Sequence, residues 1–390
     1  METATQESSA RTLVLCLDGT GSEPESGVTN VARLYAMAVK DDRQLVFYDP
    51  GVGTMGARGA VTPFGAWLTR TAGLIVGYGI RDNIADAYVW LMSQYRAGDR
   101  IMLFGFSRGA YTAVALAGVL RSVGLLRPGA ENLVPYALKM ALAHGDENRR
   151  AVPASSPDSA GAPPAASGRA GSAADKAFWR TRGDFDHGFG NPDFERFAKP
   201  VTFLGVWDTV KSVGWFNLRA RFEQVRWPFT RNLDGVRTGR LALALDENRR
   251  AFTEYRFGAD RHGVRIVDDP KRDAREMWFA GVHSDIGGTF EDDHGLSDLS
   301  LEWMAAEAAA AGLRIDPNAY DELLGVTGGA PVPSERAEGR IHRHQWYWAI
   351  AGLGWRRRHP ARADHLHPSV QHRIDVTAAS AAPYRITWEK

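Results

Sequence analysis

The residue pattern most suited to covalent chemistry in this sequence is Gly105-Phe106-Ser107-Arg108-Gly109. It matches G-x-S-x-G, in which a serine lies on a sharp turn between a strand and a helix. The apolar run RIMLFGF precedes the serine and small residues follow it, as such a turn requires. Gly105 and Gly109 keep side-chain bulk away from a tightly turned backbone. The pattern predicts Ser107 as a nucleophile, and the alternative is a serine that caps the following helix.

Two residues downstream are candidates to activate this serine. A serine hydroxyl becomes a good nucleophile when a histidine accepts its proton and a carboxylate orients that histidine, and with this motif the acid precedes the histidine in the chain. Asp208 follows the apolar run VTFLGVW, and His283 follows MWFAGV. We expect Ser107, Asp208 and His283 to leave three successive strand ends at one edge of a parallel sheet. Asp208 as a turn cap and His283 as a structural histidine bonded to Asp285 are the alternatives.

Other residues are rivals for the same roles. Asp285 is the rival for the orienting acid, and His367 is the rival for the base. The remaining histidines in polar or arginine-rich surroundings are predicted to lie at the surface: His262, His342, His344, His359 and His365.

The segment LDGTG, which contains Asp18, Gly19 and Thr20, ends the first apolar run. A phosphatase loop of the D-x-D-G-T type would need an aspartate two residues before Asp18, and Cys16 stands there. Such a glycine-bearing loop can instead present the backbone N–H groups of Gly19 and Thr20 to an oxyanion above the serine, with Asp18 bonding neighbouring N–H groups. The backbone N–H of Arg108 is the first oxyanion donor, and a plain tight turn is the alternative for LDGTG.

Five short apolar runs predict the elements that position these residues. They are TLVLCL, QLVFY, RIMLFGF, VTFLGVW and MWFAGV. Because they lack polar alternation, they predict strands buried on both faces of a parallel sheet. Helical spacing of Ile80, Ile84, Ala87, Tyr88 and Leu91, and the segments ALAGVLRSVGLL and SLEWMAAEAAAAGL, predict helices. The predicted fold class is α/β and α/β-hydrolase-like: a mostly parallel central sheet flanked by helices, with a helical insertion and a helical C-terminal region.

The domain organisation follows from the same patterns. Residues 1–10 are predicted to be a disordered N-terminus, and 11–295 an α/β core with an insertion at about 125–200. Within it, 151–176 is rich in Ala, Ser, Pro and Gly and predicts a flexible loop. That loop is interpreted either as a surface excursion or as part of a lid. Residues 296–390 are predicted to be a mainly helical region packed on the core.

Composition narrows the classes of partner and compartment. Lys and Arg number 47 against 46 Asp and Glu in 390 residues, which argues against nucleic acid as a partner. The single cysteine, Cys16, excludes an intramolecular disulfide. The N-terminus lacks the features of a secretory signal, and no stretch is long and apolar enough to predict a membrane span. We expect a cytoplasmic protein, and export without a cleavable signal is left open.

An aromatic stretch near the C-terminus precedes three arginines. Trp346, Tyr347, Trp348, Ile350, Leu353 and Trp355 come before Arg356, Arg357 and Arg358. This order suits contact with an anionic membrane surface, but core packing of a helix with a solvated arginine end is the commoner cause of such a pattern. Residues 63–80 carry the same two interpretations.

Several segments together resemble a known family. LDGTG, TNVARL, YDPGVGT, the GD before RIMLFGFSRGAYTA, GVWDTV, GVHSDIGG and LHPSV resemble, in order, the α/β-hydrolase domain family that includes phospholipase-type lipase effectors of the type VI secretion system. The resemblance covers nearly the whole chain except the Ala/Pro-rich loop. It implies ester hydrolysis, with phospholipid as one substrate class, and it supports Ser107, Asp208 and His283 position by position.

The sequence therefore predicts a serine hydrolase acting on carboxylic esters, with acyl lipids or phospholipids as substrates and with no metal or organic cofactor. A catalytically silent scaffold that binds a lipid or protein partner is the alternative. A metal-dependent hydrolase using His283 and Asp285 lacks further ligands at recognisable spacing. The sequence carries no signal for oligomeric state.

Overall fold

A parallel β-sheet forms the centre of the molecule. The computed structural model describes residues 10–19, 28–51, 79–150, 173–210, 233–259, 263–343 and 354–389. The strands of these residues form one seven-stranded sheet in the order β2-β1-β3-β4-β5-β6-β7, with every neighbouring pair parallel. They are β1 (Thr12–Leu17), β2 (Gln44–Asp49), β3 (Arg100–Phe106), β4 (Val201–Trp207), β5 (Val236–Ala244), β6 (Asp273–Phe279) and β7 (His365–Leu366).

Helices cover both faces of this sheet. They are α1 (Asn30–Met37), α2 (Ile80–Gln94), α3 (Arg108–Val123), α4 (Val134–Arg150), α5 (Ala173–Phe189), α6 (His283–Gly287), α7 (Gly295–Ala310), α8 (Pro317–Leu324) and α9 (Pro368–Thr377). The predicted α/β fold class, a parallel sheet flanked by helices, is confirmed.

The core has two layers because successive side chains of a strand point to opposite faces. In β1, Leu13, Leu15 and Leu17 pack into the layer that includes side chains of α2 and α3, whereas Val14 and Cys16 pack into the layer that includes side chains of α1 and α7. All six residues of β1 are buried. The absence of polar alternation in the sequence reflects this burial on both sides.

Each predicted run overlaps a strand, and the two clearest helices are present. The five predicted apolar residues of α2 are buried, and α7 contains most of SLEWMAAEAAAAGL. The helix predicted for ALAGVLRSVGLL ends at Val123, because Gly124 has a φ of +80°.

Two strands were not predicted, β5 and the two-residue β7, and β5 changes the expected neighbourhood of the site. β5 lies between β4 and β6. Its sequence VRTGRLALA is interrupted by polar residues, among them Arg240, which is buried by pairing with Glu307 and Asp273. The expectation that Asp208 and His283 follow successive strands is therefore wrong, since the end of β5 lies between them.

The predicted insertion at about 125–200 contains α4 and α5. Of the loop predicted at 151–176, residues 173–176 belong to α5 and the others lie outside the described residues, as does nearly all of the predicted disordered N-terminus. The region after residue 295 contains α7, α8 and α9 together with β7. The domain limits remain a prediction.

Candidate active site

Ser107 lies on the turn between β3 and α3. Its φ of 57° and ψ of −117° are uncommon for a residue with a side chain. The turn depends on its glycines: a Cβ on Gly105 would lie 2.5 Å from the carbonyl oxygen of Gly109, and a Cβ on Gly109 would lie 2.1 Å from that of Leu17. The Ser107 side chain makes no capping hydrogen bond to α3. The backbone thus presents the hydroxyl at the carboxyl edge of the sheet, and the helix-cap alternative is not supported.

Three side chains at this edge are joined by hydrogen bonds. Nε2 of His283 lies 2.9 Å from Oγ of Ser107, and Nδ1 of the same ring lies 2.5 Å from Oδ2 of Asp208. Asp208 follows β4 directly, and His283 is the first residue of α6, a few residues after β6. Asp208 is fully buried, His283 is buried and Ser107 is half-buried. This chain of contacts can pass a proton from the serine to the histidine and hold the histidine in one tautomer.

The imidazole of His283 is held on several sides. The ring of Phe106 packs against it with centroids 4.6 Å apart, and Phe252 meets it edge-on at 5.0 Å. The backbone N–H of His283 donates to Oε2 of Glu247 at 3.2 Å. Glu247 is itself buried and pairs with Arg249 at 2.8 Å, so the position of the ring is fixed by a connected set of contacts.

Arg358 completes the surroundings of Asp208, and the sequence did not predict this. Its Nη1 donates to Oδ1 of Asp208 at 2.5 Å and its Nη2 lies 3.1 Å from Oδ2. The backbone N–H of Ala244 donates to Oδ1 at 3.0 Å. Arg358 is only 5% exposed, so its interpretation as a solvated helix end or membrane contact is wrong. Nothing in the run Arg356–Arg358 distinguishes this arginine from its exposed neighbours.

The electrostatics of the cluster follow from burial and pairing. Burial opposes the charged form of Asp208, but Arg358 and the hydrogen bond from His283 outweigh it and hold the pKa of that carboxyl below its ordinary value. Burial lowers the pKa of His283, and Asp208 acts in the opposite direction. The cluster therefore favours an ionised Asp208 beside a neutral His283, the resting state that a general base requires.

The rival residues have other partners. Oδ2 of Asp285 accepts from the backbone N–H of Val282 at 2.9 Å, and Oδ1 lies 2.5 Å from Nδ1 of His342. His367 caps α9, its Nδ1 lies 2.8 Å from Oγ of Ser369, and burial lowers its pKa to about 4. Neither rival takes the place of Asp208 or His283 in the chain of contacts.

His342 corrects a further expectation. It was predicted to lie at the surface, but it is 7% exposed and stacks on Phe290 with centroids 3.7 Å apart. His359 and His365 are exposed as predicted, and His262 and His344 lie outside the described residues. Asp285 binds both His342 and the backbone N–H of Val282, so the pair stabilises the turn before His283.

Two of the candidate oxyanion donors, Arg108 and Gly19, lie next to Ser107. The Arg108 backbone begins α3, and a Cβ on Gly19 would lie 3.4 Å from Cβ of Ser107. The N–H of Gly19 donates to Oδ1 of Asp18 at 2.6 Å. Oδ2 of Asp18 accepts from Oγ1 of Thr29 at 2.5 Å and from the Tyr48 hydroxyl at 2.8 Å. Asp18 thus binds the N–H of Gly19 and the hydroxyls of Thr29 and Tyr48, while Thr20 lies outside the described residues.

Among the described side chains, no group of three or more His, Cys, Asp and Glu could hold a metal ion. In those parts of the chain there is also no helix with the length and apolar character needed to cross a bilayer. Residues 63–78 and 346–353 of the two aromatic stretches lie outside the described ranges.

The α/β-hydrolase-like class is defined by a parallel sheet flanked by helices and by a serine on a strand-to-helix turn at its edge. This chain has that sheet, and a histidine and an aspartate are hydrogen-bonded in series to the serine on the turn after β3. Residues 11–307 match the family described as "T6SS, Phospholipase effector Tle1-like, catalytic domain". The chain belongs to this family of type VI secretion phospholipase effectors, as its motifs indicate.

Individual similar proteins either share low sequence identity with this chain or match only part of it. "Uncharacterized protein YEL023C" of Saccharomyces cerevisiae is 35% identical over 144 residues, covering 34% of this chain and 21% of its own. An uncharacterised protein from Pseudomonas aeruginosa is 18% identical, with a TM-score of 0.41 over 80% of this chain and 47% of that one. A Tle1 effector solved with the VgrG spike of the type VI secretion system is 18% identical, with a TM-score of 0.33 over 72% and 52%. The chain thus spans about a fifth of the yeast protein and about half of each solved chain.

Proposed function

We propose that this chain is a serine hydrolase that cleaves carboxylic esters of acyl lipids, with phospholipids as the principal substrate class. The observation that carries the proposal is the hydrogen-bonded series Ser107, His283 and Asp208 at the carboxyl edge of the sheet. Membership in a phospholipase effector family supports the lipid substrate.

The geometry supports a two-step reaction through an acyl-enzyme. Oγ of Ser107 attacks the ester carbonyl while Nε2 of His283 accepts the hydroxyl proton. Asp208 stabilises the imidazolium that forms, and His283 then returns the proton to the departing alcohol. Water, activated by the same histidine, hydrolyses the acyl-serine and regenerates the hydroxyl.

The negative oxygen of each tetrahedral intermediate needs hydrogen-bond donors next to Ser107. The backbone N–H of Arg108 lies at the first turn of α3, where the helix dipole also favours negative charge. We assign the second donor to the loop of Gly19 and Thr20. Because the Gly19 N–H bonds Asp18 in this conformation, its use as a donor requires that contact to open during the reaction.

The proposal is tested by measuring fatty-acid release from phospholipid vesicles. We expect Ser107→Ala to lower turnover by about 10⁴-fold or more. Ser122→Ala is the matched control: its buried hydroxyl bonds the carbonyl of Val119 within the same helix, so the variant should retain wild-type turnover.

The alternative scaffold gives a different result. Wild-type protein that binds the vesicles without releasing fatty acid or lysolipid would support a silent lipid-binding domain and exclude the esterase. Equal turnover by wild type and Ser107→Ala would exclude Ser107 as the nucleophile.

Family membership also supports an action outside the producing cell, on the membrane of a target cell. We propose that export proceeds through a type VI secretion system without a cleavable signal. Comparing the protein in culture supernatants with and without that system tests this, and equal amounts in both would contradict it.

A further inference from the structure

A buried arginine contacts the aspartate of the proposed catalytic series. Arg358 and Asp208 are 150 positions apart in the chain, yet two guanidinium nitrogens lie 2.5 and 3.1 Å from the two carboxylate oxygens. We propose that Arg358 is a positioning residue for the hydrolysis proposed above. Its forked N–H groups hold Asp208 against Nδ1 of His283, and its charge limits how strongly Asp208 stabilises the protonated imidazole.

The resting site needs this cation. Asp208 is fully buried, and an ionised carboxylate without a counter-charge is unfavourable there. His283 is neutral when it acts as a base, so it cannot supply that charge before the reaction begins. Arg358 supplies it permanently, because a guanidinium paired with a carboxylate stays protonated.

The protein holds Arg358 in place from both sides. The N–H of Arg356 donates to the carbonyl of Asn248 at 2.7 Å, and the N–H of Arg250 donates to the carbonyl of Gly354 at 3.3 Å. Nη2 of Arg358 donates to the carbonyl of Phe252 at 2.7 Å, and Nη1 to that of Ala244 at 3.0 Å. Its Nε lies 3.6 Å from Glu254. These contacts come from the last residue of β5 and the segment that follows it, and they fix the direction of the guanidinium.

This arginine lies beyond residues 11–307, the part of the chain that matches the catalytic domain of the family. The C-terminal region therefore supplies a side chain to the site instead of only covering the core. Removal of this region would leave Asp208 with its contacts to His283 and Ala244 but without its cation.

The charges around His283 give the direction of the effect. Asp208 and Glu247 favour the imidazolium, whereas Arg249 and burial oppose it. Arg358 pairs with Asp208 and so weakens the stabilisation of the imidazolium by Asp208. Loss of Arg358 leaves the negative charge of Asp208 less compensated, and the pKa of His283 should rise.

The test separates charge from geometry with two variants. In ¹⁵N-histidine NMR titrations assigned with His283→Gln, we expect Arg358→Gln to raise the pKa of His283. On a water-soluble short-chain ester, the kcat of Arg358→Gln should fall by about 10²-fold with KM little changed, because Asp208 is no longer held in line with His283. Arg358→Lys keeps the charge but not the fork, so the pKa of His283 should stay close to wild type while kcat still falls.

Arg362→Gln is the control for loss of an arginine from the same region. Its guanidinium is exposed and lies over the ring of Trp388, with 5.7 Å to the centroid, so both readouts should match wild type. An unchanged pKa of His283 in folded Arg358→Gln would overturn the electrostatic part of the proposal. A wild-type kcat in Arg358→Lys would overturn the positioning role of the guanidinium. If Arg358→Gln does not fold, the kcat of Arg358→Lys alone tests the proposal. Absence of ester turnover by wild type would contradict the proposed function, whereas the titration would still report the effect of Arg358.

Discussion

Nε2 of His283 lies 2.9 Å from Oγ of Ser107, although 176 positions separate the two residues in the chain. The distance allows direct proton transfer without prior rearrangement. Phe106 and Phe252 contact the imidazole, and Glu247 accepts a hydrogen bond from the backbone N–H of His283. The approach of His283 to Ser107 is thus built into the packing of the segments that follow β3, β5 and β6.

The identity of the orienting carboxylate can be tested by comparing two aspartates. We expect Asp208→Asn to lower kcat on a soluble ester by about 10⁴-fold, because an amide favours the wrong tautomer of His283. Asp285→Asn should cost no more than about 10²-fold, since Asp285 bonds Val282 and His342 and acts on His283 only through the backbone. The measurement is steady-state kinetics on both variants, with circular dichroism to establish that each is folded. The reverse order of damage would assign the orienting role to Asp285.

The pH dependence of the reaction should report the depressed pKa of His283. The base acts in its neutral form, so kcat/KM rises with pH through the histidine pKa of the unliganded enzyme. Burial disfavours the imidazolium, which places the midpoint of that acid limb below the ordinary value of 6.5. A pH profile of wild-type kcat/KM on a soluble ester measures it. An acid limb centred above 6.5 would contradict the account of the site's electrostatics.

The tight turn at the serine should not tolerate a side chain on Gly109. Its Cβ would lie 2.1 Å from the carbonyl oxygen of Leu17, which is backbone and cannot rotate away. We expect Gly109→Ala to lower the free energy of unfolding by about 3 kcal/mol, the upper end for overpacking. Gly188→Ala in α5 is the control, because its Cβ would meet no atom within 4 Å. This variant should raise the free energy of unfolding by no more than about 1 kcal/mol. Equal denaturant midpoints for the two variants would show that the turn relaxes more easily than the structure indicates.

Much of the fold could be predicted because burial on both faces of a parallel sheet leaves a direct mark on the sequence. β1 is buried at every position and is apolar throughout except for Thr12. β5 escaped prediction because Arg240 occupies a strand position that becomes compatible with burial only through Glu307 and Asp273. Those partners lie far along the chain, so local hydrophobicity could not indicate them.

The site could be predicted only in part for the same reason. The turn at Ser107 has a local signature in its glycines, and Asp208 follows an apolar run directly. Arg358 and His342 have no such signature: each is buried and pairs with a carboxylate from a distant segment. Pairing between segments 150 positions apart is a property of the folded chain, and a single sequence does not display it.

The most direct measurement of the central claim is the covalent labelling of the protein by a fluorophosphonate, which reacts with activated serines. The probe should form one adduct, located by peptide mass spectrometry on Ser107, and labelling should be abolished in Ser107→Ala and strongly slowed in His283→Gln. An unlabelled wild-type protein, or an adduct that persists in Ser107→Ala, would contradict the assignment of Ser107 as an activated nucleophile.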